Sequence, residues 1–368
     1  MYHTDFAVNV NNVTKTFIQW QRDNTGKGLI RNLIKPEKRK ITALDNVSFT
    51  IGKGEFVAYA GPNGAGKSIT MKLLTGMLLP DSGDISVLSL SPQKQRAKLM
   101  EHLGILFGNR TELWWDHPVI QSFEWKKVVW GILDDVYRKN LDMLIELLDI
   151  GKLLKTFARE LSLEQRMRAD LAMMLLHSPE VILLDEPTLG LDVAAKRQMI
   201  SFLKKINREN GVTIVVTSHD MDDLEEMAER ILMISAGKIA FDGSFEELRS
   251  LTGNLTRLTV TTENGYIPQI ENARLLSAEN GVHEYDINLA DTPVKALLNK
   301  LSEAEGVRDV EIRKAPIEQV IAGLYKAWSS GDTFPPADQE VSWPGSAEST
   351  CLAMHYGTAC LIVRLCRF

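Results

Sequence analysis

Short apolar runs bounded by turn residues recur through the first 250 positions of the chain. "EFVAYAG" (55–61), "VILLD" (181–185) and "TIVVTS" (213–218) are hydrophobic at nearly every position rather than at alternate ones. That is the pattern of strands buried on both faces, and such strands belong to parallel sheets covered by helices. Elsewhere the period lengthens: Met167, Leu171, Met174 and Leu175 recur at helical spacing, and the segment after Asp192 reads as a helix closed by "NREN" and Gly211. The expected core is therefore α/β, over residues 1–250. From residue 251 the texture changes. "LTRLTVTTE" alternates as a strand, "VKALLNKLSEAEG" has a helical period and "VRDVEIRK" reads as another strand, which predicts a small α+β domain over 251–326. Residues 327–368 are at first rich in Ser, Pro and Gly without a period and are expected to be a disordered tail.

A length of 368 residues suits one large and one smaller domain, and a net charge of −6 offers no global attraction to a polyanion, so no nucleic acid is expected as a partner. The three cysteines, Cys351, Cys360 and Cys366, all fall near the end, leaving no disulfide framework and favouring a reducing, cytosolic setting. The opening residues lack a basic segment followed by an apolar core, and no apolar run approaches the roughly 18 residues of a membrane span. Work at a membrane would therefore need another chain as anchor. One local departure is the stretch 21–40, with seven Lys or Arg against two acids. It reads either as a solvated loop or as a segment drawn to anionic lipid head groups.

The candidate chemistry begins with "GPNGAGKS", Gly61, Pro62, Asn63, Gly64, Ala65, Gly66, Lys67 and Ser68, between a buried strand and a helical run. In that context G-x-x-x-x-G-K-[ST] forms a loop whose backbone N–H groups converge on phosphates at a helix N-terminus. Lys67 is placed to reach the β- and γ-phosphates and Ser68 to ligate Mg²⁺. The strand "VILLD" delivers Asp185 and Glu186 at its carboxyl end, the edge where ligands gather in doubly wound sheets. Asp185 suits the Mg²⁺ shell, and Glu186 suits polarising an attacking water. "TSHD" puts His219 at the same edge, 33 residues after Glu186, in position to hold a γ-phosphate and that water.

Together these motifs resemble the nucleotide-binding subunit of ATP-binding cassette (ABC) transporters, over about residues 7–250. The resemblance implies a P-loop cassette fold with a mainly parallel sheet, an antiparallel β portion and a helical subdomain at about 110–178. It also implies ATP and Mg²⁺ as cofactors, a second ATPase subunit as homo- or heterodimer partner, and an integral-membrane permease that holds the chain at the cytoplasmic face. "GPNGAGKS" matches the Walker A loop and "VILLDE" the Walker B strand; "LGLD", ending at Asp192, matches the dimer-facing loop, and His219 the switch histidine. "SLEQ", Ser162, Leu163, Glu164 and Gln165, takes the place of the signature that reaches the other subunit's ATP. Phe17 falls at the adenine-stacking aromatic, with apolar packing as its other reading. "GILFGNRTELWWDHPVIQSFEW", "LSLEQRMRADLA" and "TSHDMDDLEEMAERI" look like the branch serving ABC-2-type export permeases. In that branch Trp114, Trp115, Phe123, Trp125 and Trp130 belong to the subdomain that receives the permease; burial as core is their alternative.

Three positions depart from the family pattern. Glu164 stands where the branch has glycine, adding bulk and a negative charge at a helix N-terminus meant to face phosphate. Asn109, in "FGNR", stands for the glutamine that links Mg²⁺ and the permease, and Ile69 for a threonine beside the α-phosphate. The expected function is ATP hydrolysis powering an exporter through dimer closure. Glu164 and Asn109 keep open a hydrolysis-impaired regulatory subunit, and a soluble, non-transport ABC ATPase is the third class.

Overall fold

The computed structural model describes residues 6–21, 37–107, 111–251, 255–263, 267–270, 273–288, 293–304, 306–318, 320–321 and 324–325. Asn109, residues 22–36 of the basic stretch and the tail 327–368 lie outside them.

Two sheets form the main body. The first is antiparallel, ordered β2 (Glu37–Gly52), β1 (Phe6–Gln21), β4 (Ser82–Val87). The second has six strands, ordered β5 (Leu103–Phe107), β6 (Val181–Asp185), β7 (Thr213–Thr217), β3 (Phe56–Ala60), β8 (Arg230–Ser235), β9 (Lys238–Ser244). Its pairs are parallel except β8 with β9. The unbroken apolar runs follow from burial on both faces. On β6, Val181 and Leu183 join the core under the antiparallel sheet, while Ile182 and Leu184 join the core under the helices. Alternate residues of a strand serve opposite faces, so only a doubly covered strand carries such a run.

The helical region between β5 and β6 holds helices Val119–Val129, Asp134–Leu148 and Leu163–Leu175. Met167, Leu171, Met174 and Leu175 are buried there, as their spacing predicts. The helix Val193–Asn210 starts at Asp192 and stops at Gly211, which adopts φ 66. Among the described residues no helix is long and apolar enough to cross a membrane.

The basic stretch requires a correction. Lys38, Arg39 and Lys40 are exposed but belong to β2, opposite Trp20, Gln19 and Ile18 of β1, so this end of the stretch is hairpin strand and not loop. Beyond the main body, β11 (Ala273–Glu279), β12 (Val282–Asn288), β10 (Leu255–Thr262) and β13 (Val307–Lys314) form a four-stranded antiparallel sheet in that order. One face packs on helix Val294–Glu303 through Leu258, Val260, Tyr285, Ile287, Leu297 and Leu301. The β11–β12 hairpin is absent from the sequence reading because β11 leaves Leu275 and Leu276 exposed and shows no alternation.

The chain then returns to the main body. Ile317, Val320, Ile321 and Leu324 are buried in the helical-side core with Met221, Leu224 and Leu248. Leu324→Ala is accordingly expected to destabilise the main body by about 2–5 kcal/mol, read as a lower urea midpoint for the whole chain. A midpoint unchanged from wild type would show that the returning segment adds nothing to that core.

Candidate functional site

At the end of β3 the chain turns through Gly61–Ser68 into helix Lys67–Leu74. Gly66 caps that helix at φ 117, and a Cβ there would stand 2.7 Å from Leu44 Cδ2 and 2.9 Å from the Ala43 carbonyl of β2. Only glycine permits both the left-handed backbone and this approach. Gly64 is also left-handed, at φ 81, but faces open space. No side chain caps the helix. Ala65 and Ile69 donate to the Pro62 and Gly66 carbonyls at 3.1 Å, whereas among the described residues the N–H groups of Gly64, Gly66, Lys67 and Ser68 meet no acceptor. Unpaired donors gathered at the positive end of a helix, with an open side, suit a polyphosphate.

Strand register brings the acids to the same edge. Asp185 of β6 lies opposite Thr217 of β7, whose hydroxyl donates to Asp185 Oδ1 at 2.6 Å. The Glu186 N–H donates to the Thr217 carbonyl at 3.1 Å and to its Oγ1 at 3.2 Å, and Glu186 takes a left-handed φ of 59. That turn aims its carboxylate at the next strand end. There the His219 N–H donates to Oε2 at 3.0 Å and the His219 ring Nε2 sits 3.3 Å from Oε1. The imidazole is exposed; the carboxylate is largely covered.

Lys67 is 7% exposed and donates to the Gly61 carbonyl at 2.6 Å and to that of Pro62 at 3.4 Å. Burial lowers its pKa, and the charges of Glu186 and Asp185 resist that fall. Burial raises the pKa of Glu186, while His219 and Lys67 pull it down. Lys67, Asp185, Glu186 and His219 thus form one electrostatic unit. For Mg²⁺ the residues present fit: Ser68 is exposed beside the loop and Asp185 is oriented by Thr217. Mg²⁺ is commonly held by one or two protein oxygens together with substrate phosphates, a demand these two groups can meet.

The signature residues stand apart. Among the described residues no hydrogen bond or ion pair joins Ser162, Leu163, Glu164 or Gln165 to this unit. Ser162 caps helix Leu163–Leu175 in a capping box: its hydroxyl accepts from the Gln165 N–H at 3.2 Å and its N–H donates to Gln165 Oε1 at 3.0 Å. Only the N–H groups of Leu163 and Glu164 remain in the first turn, fewer than a fully open helix end offers. Glu164 does not project freely forward. Its carboxylate lies 3.3 Å from Arg168 Nη2, one turn along the helix, which partly neutralises it. Asp192 accepts from the Ala195 N–H at 2.8 Å as cap of its own helix.

Phe17 is exposed on β1 opposite Ile41, three positions from the Leu44 that touches the phosphate loop, with Lys15 Nζ 5.5 Å from its ring centre. A ring so placed can stack on a base. Ile69 follows Ser68 in the first turn of the helix; its partly buried side chain leans on the core beneath the antiparallel sheet and its N–H donates to the Gly66 carbonyl. The aromatic set divides. Trp114, Trp115 and Trp125 are exposed, with Trp114 and Trp125 centred 5.5 Å apart; Phe123 is fully buried core, and Trp130 is half-buried over His177. Asn109 lies outside the described residues.

Two residues escape the sequence reading. Thr217 orients both acids, and its only signal is a hydroxyl closing a buried strand. Asp170 is buried on the signature helix, where Oδ1 accepts from Thr111 Oγ1 at 2.8 Å and from the Glu112 N–H at 3.3 Å. It keys the segment after Asn109 to that helix. Burial pushes its carboxyl up to about 7, the two donors pull it down, Glu112 pushes it up and Arg166 pulls it down.

The family model described as ABC transporter matches residues 44–189. The uncharacterized ABC transporter ATP-binding protein YhcH of Bacillus subtilis is 31% identical over 260 residues, 71% of this chain and 83% of that protein. The probable multidrug ABC transporter ATP-binding protein YbhF of Escherichia coli is 32% identical over 62% of this chain, which spans 39% of that relative. The methionine import ATP-binding protein MetN of Corynebacterium glutamicum is 29% identical over 71% of this chain and 74% of its own. Among solved structures, the dimeric ATP-binding cassette MJ0796 in a post-hydrolysis state with ADP and Pi superposes with a TM-score of 0.54 at 25% identity, over 64% of this chain and 98% of that one.

Asp170 sets a pH dependence whose sign is fixed. Its pKa in the fold is above the unfolded value of about 4, so its contribution to stability is full below that value and is lost as pH rises through about 7. Asp170→Asn, neutral throughout, should gain on the wild type between about pH 5 and pH 8, by roughly 2–4 kcal/mol. Urea unfolding of both proteins across that range checks it; parallel pH curves would refute the assignment.

Proposed function

The chain belongs to the ATP-binding subunits of ABC transporters, and we propose that it hydrolyses ATP to power an ABC-2-type exporter, as one half of a dimer that closes on ATP and reopens after hydrolysis. The observation that carries hydrolysis is the Glu186–His219 pair held at the sheet edge beside Lys67. In this reading residues 1–250 are the ATPase domain and 251–326 an accessory domain. The chain sits at the cytoplasmic face of a membrane through its permease.

Each group has a role that its surroundings favour. The N–H groups of Gly64, Gly66, Lys67 and Ser68 hold the phosphates, with Gly61, Pro62, Asn63 and Ala65 shaping the loop. Lys67 exchanges the Gly61 carbonyl for phosphate oxygens. Ser68, Asp185 and Asn109 would hold Mg²⁺, which supplies neutralising charge to the β- and γ-phosphates when bound. Phe17 stacks on adenine. Glu186 accepts a proton from the attacking water, and the burial that raises its pKa strengthens it as a base. His219 leaves Glu186 to hold the γ-phosphate in line. Ser162–Gln165 and Asp192 serve the opposite subunit's nucleotide. Trp114, Trp115 and Trp125 form an exposed aromatic patch suited to a permease segment.

Export is supported by the branch-like motifs and by the multidrug name of one relative; the import name of another marks the competing direction. A regulatory subunit that binds ATP without turnover is the second reading, and Glu164 favours it. Its pairing with Arg168 reduces the charge that faces the partner's phosphate but leaves the bulk.

Phosphate release by the assembled complex tests the reading. Glu186→Gln should lower kcat at least about 100-fold with ATP still bound; a variant as fast as wild type would remove Glu186 as base. Glu164→Gly is expected to raise turnover by up to about tenfold, with Glu164→Gln in between. Equal rates for all three would end the case for an impaired signature.

A further inference from the structure

Arg249 stands where three parts of the chain meet. It lies in helix Phe245–Ser250, directly before the small sheet, and is 9% exposed. Its Nε and Nη2 donate to the two Glu225 carboxylate oxygens at 3.0 and 2.6 Å, and its Nη1 donates to the Ala315 carbonyl at 2.5 Å, directly after the small sheet. Glu225 belongs to helix Met221–Met227. That helix is capped by Asp220, the neighbour of His219, whose side chain accepts from the Asp223 N–H at 3.2 Å. Lys196 clamps the same cap by pairing with Asp220 at 2.7 Å and Asp223 at 3.0 Å.

A guanidinium that meets a carboxylate with two N–H groups and a carbonyl with another fixes all three elements in orientation as well as distance. The apolar contacts agree. Met221, Leu224 and Met227 share a core with Leu248, Ile317, Val320, Ile321 and Leu324. Both ends of the small sheet are therefore fastened to the helix that begins beside His219.

We propose that Arg249 is a positioning residue for the Glu186–His219 pair: it locks the His219 helix to the base of the small sheet, so that the state of that sheet governs hydrolysis. The activity part rests on the ATPase reading; the mechanical part does not.

The test uses the full chain, alone for hydrogen–deuterium exchange and in the assembled complex for hydrolysis. Arg249→Met should raise exchange at residues 219–227 while β7 and β10–β13 stay protected. It should lower kcat about tenfold, with KM for ATP within about twofold. Arg249→Lys, which keeps one charge-assisted bond, should fall between the two. Adding Glu225→Met to Arg249→Met should cause no further loss, because the tie is already broken. Unaltered exchange at 219–227 would overturn the proposal, and so would exchange raised throughout the chain with kcat and KM failing together. If the wild-type complex releases no phosphate, the ATPase reading falls, and the exchange pattern still decides whether Arg249 holds the helix.

Discussion

The parallel register of β6 on β7, with Asp185 opposite Thr217, is the constraint on which the site depends. It places the Thr217 hydroxyl on Asp185, puts the Thr217 carbonyl under the Glu186 N–H, and delivers His219 two residues later. A one-residue slip would move the strand about 3.3 Å and turn every side chain to the other face. The strand resists that slip because Val181 and Leu183 are buried in one core and Ile182 and Leu184 in the other. Hydrophobic packing thus holds the polar geometry in place.

Around that edge the charges restrain one another. Burial disfavours the ammonium of Lys67 and the carboxylate of Glu186 alike; Glu186 opposes the fall at Lys67, and His219 followed by Lys67 opposes the rise at Glu186. Both are committed to internal partners: Lys67 to Gly61, and Glu186 to His219. A triphosphate entering the loop would compete for Lys67 with a carbonyl rather than with a full charge. The exchange is therefore inexpensive. The signature end follows the same economy. Its capping box spends two donors to hold the first turn rigid, and Arg168 draws Glu164 aside.

The small sheet is built on its own core yet is not mechanically separate. Its last strand leads into a segment buried beside Met221 and Leu224, so the helix after His219 has one wall supplied from far along the chain. Phe17 shows a similar dependence in the other direction, since its nearness to the phosphate loop is transmitted through the β1–β2 ladder and Leu44. In both cases a residue near the site owes its position to contacts remote in sequence.

Local chemistry made much of the molecule legible. Unbroken apolar runs named β3, β6 and β7, helical spacing named the buried face of Leu163–Leu175, and "GPNGAGKS" and "LLDE" carried their chemistry in their own few residues. The β11–β12 hairpin, the strand identity of Lys38–Lys40 and the choice between core and surface for each of the five aromatics were not legible, because each depends on what lies across a sheet or beneath a helix. Residue order alone settles which groups can bind phosphate and accept a proton, since those properties are covalent. Which of them meet, and that Arg249 ties the end of the small sheet to the His219 helix, are settled by packing. Arg249 meets Ala315 across 66 residues, Lys67 lies nearer the start of the chain than the acids it faces by a wider margin still, and no local pattern records such contacts.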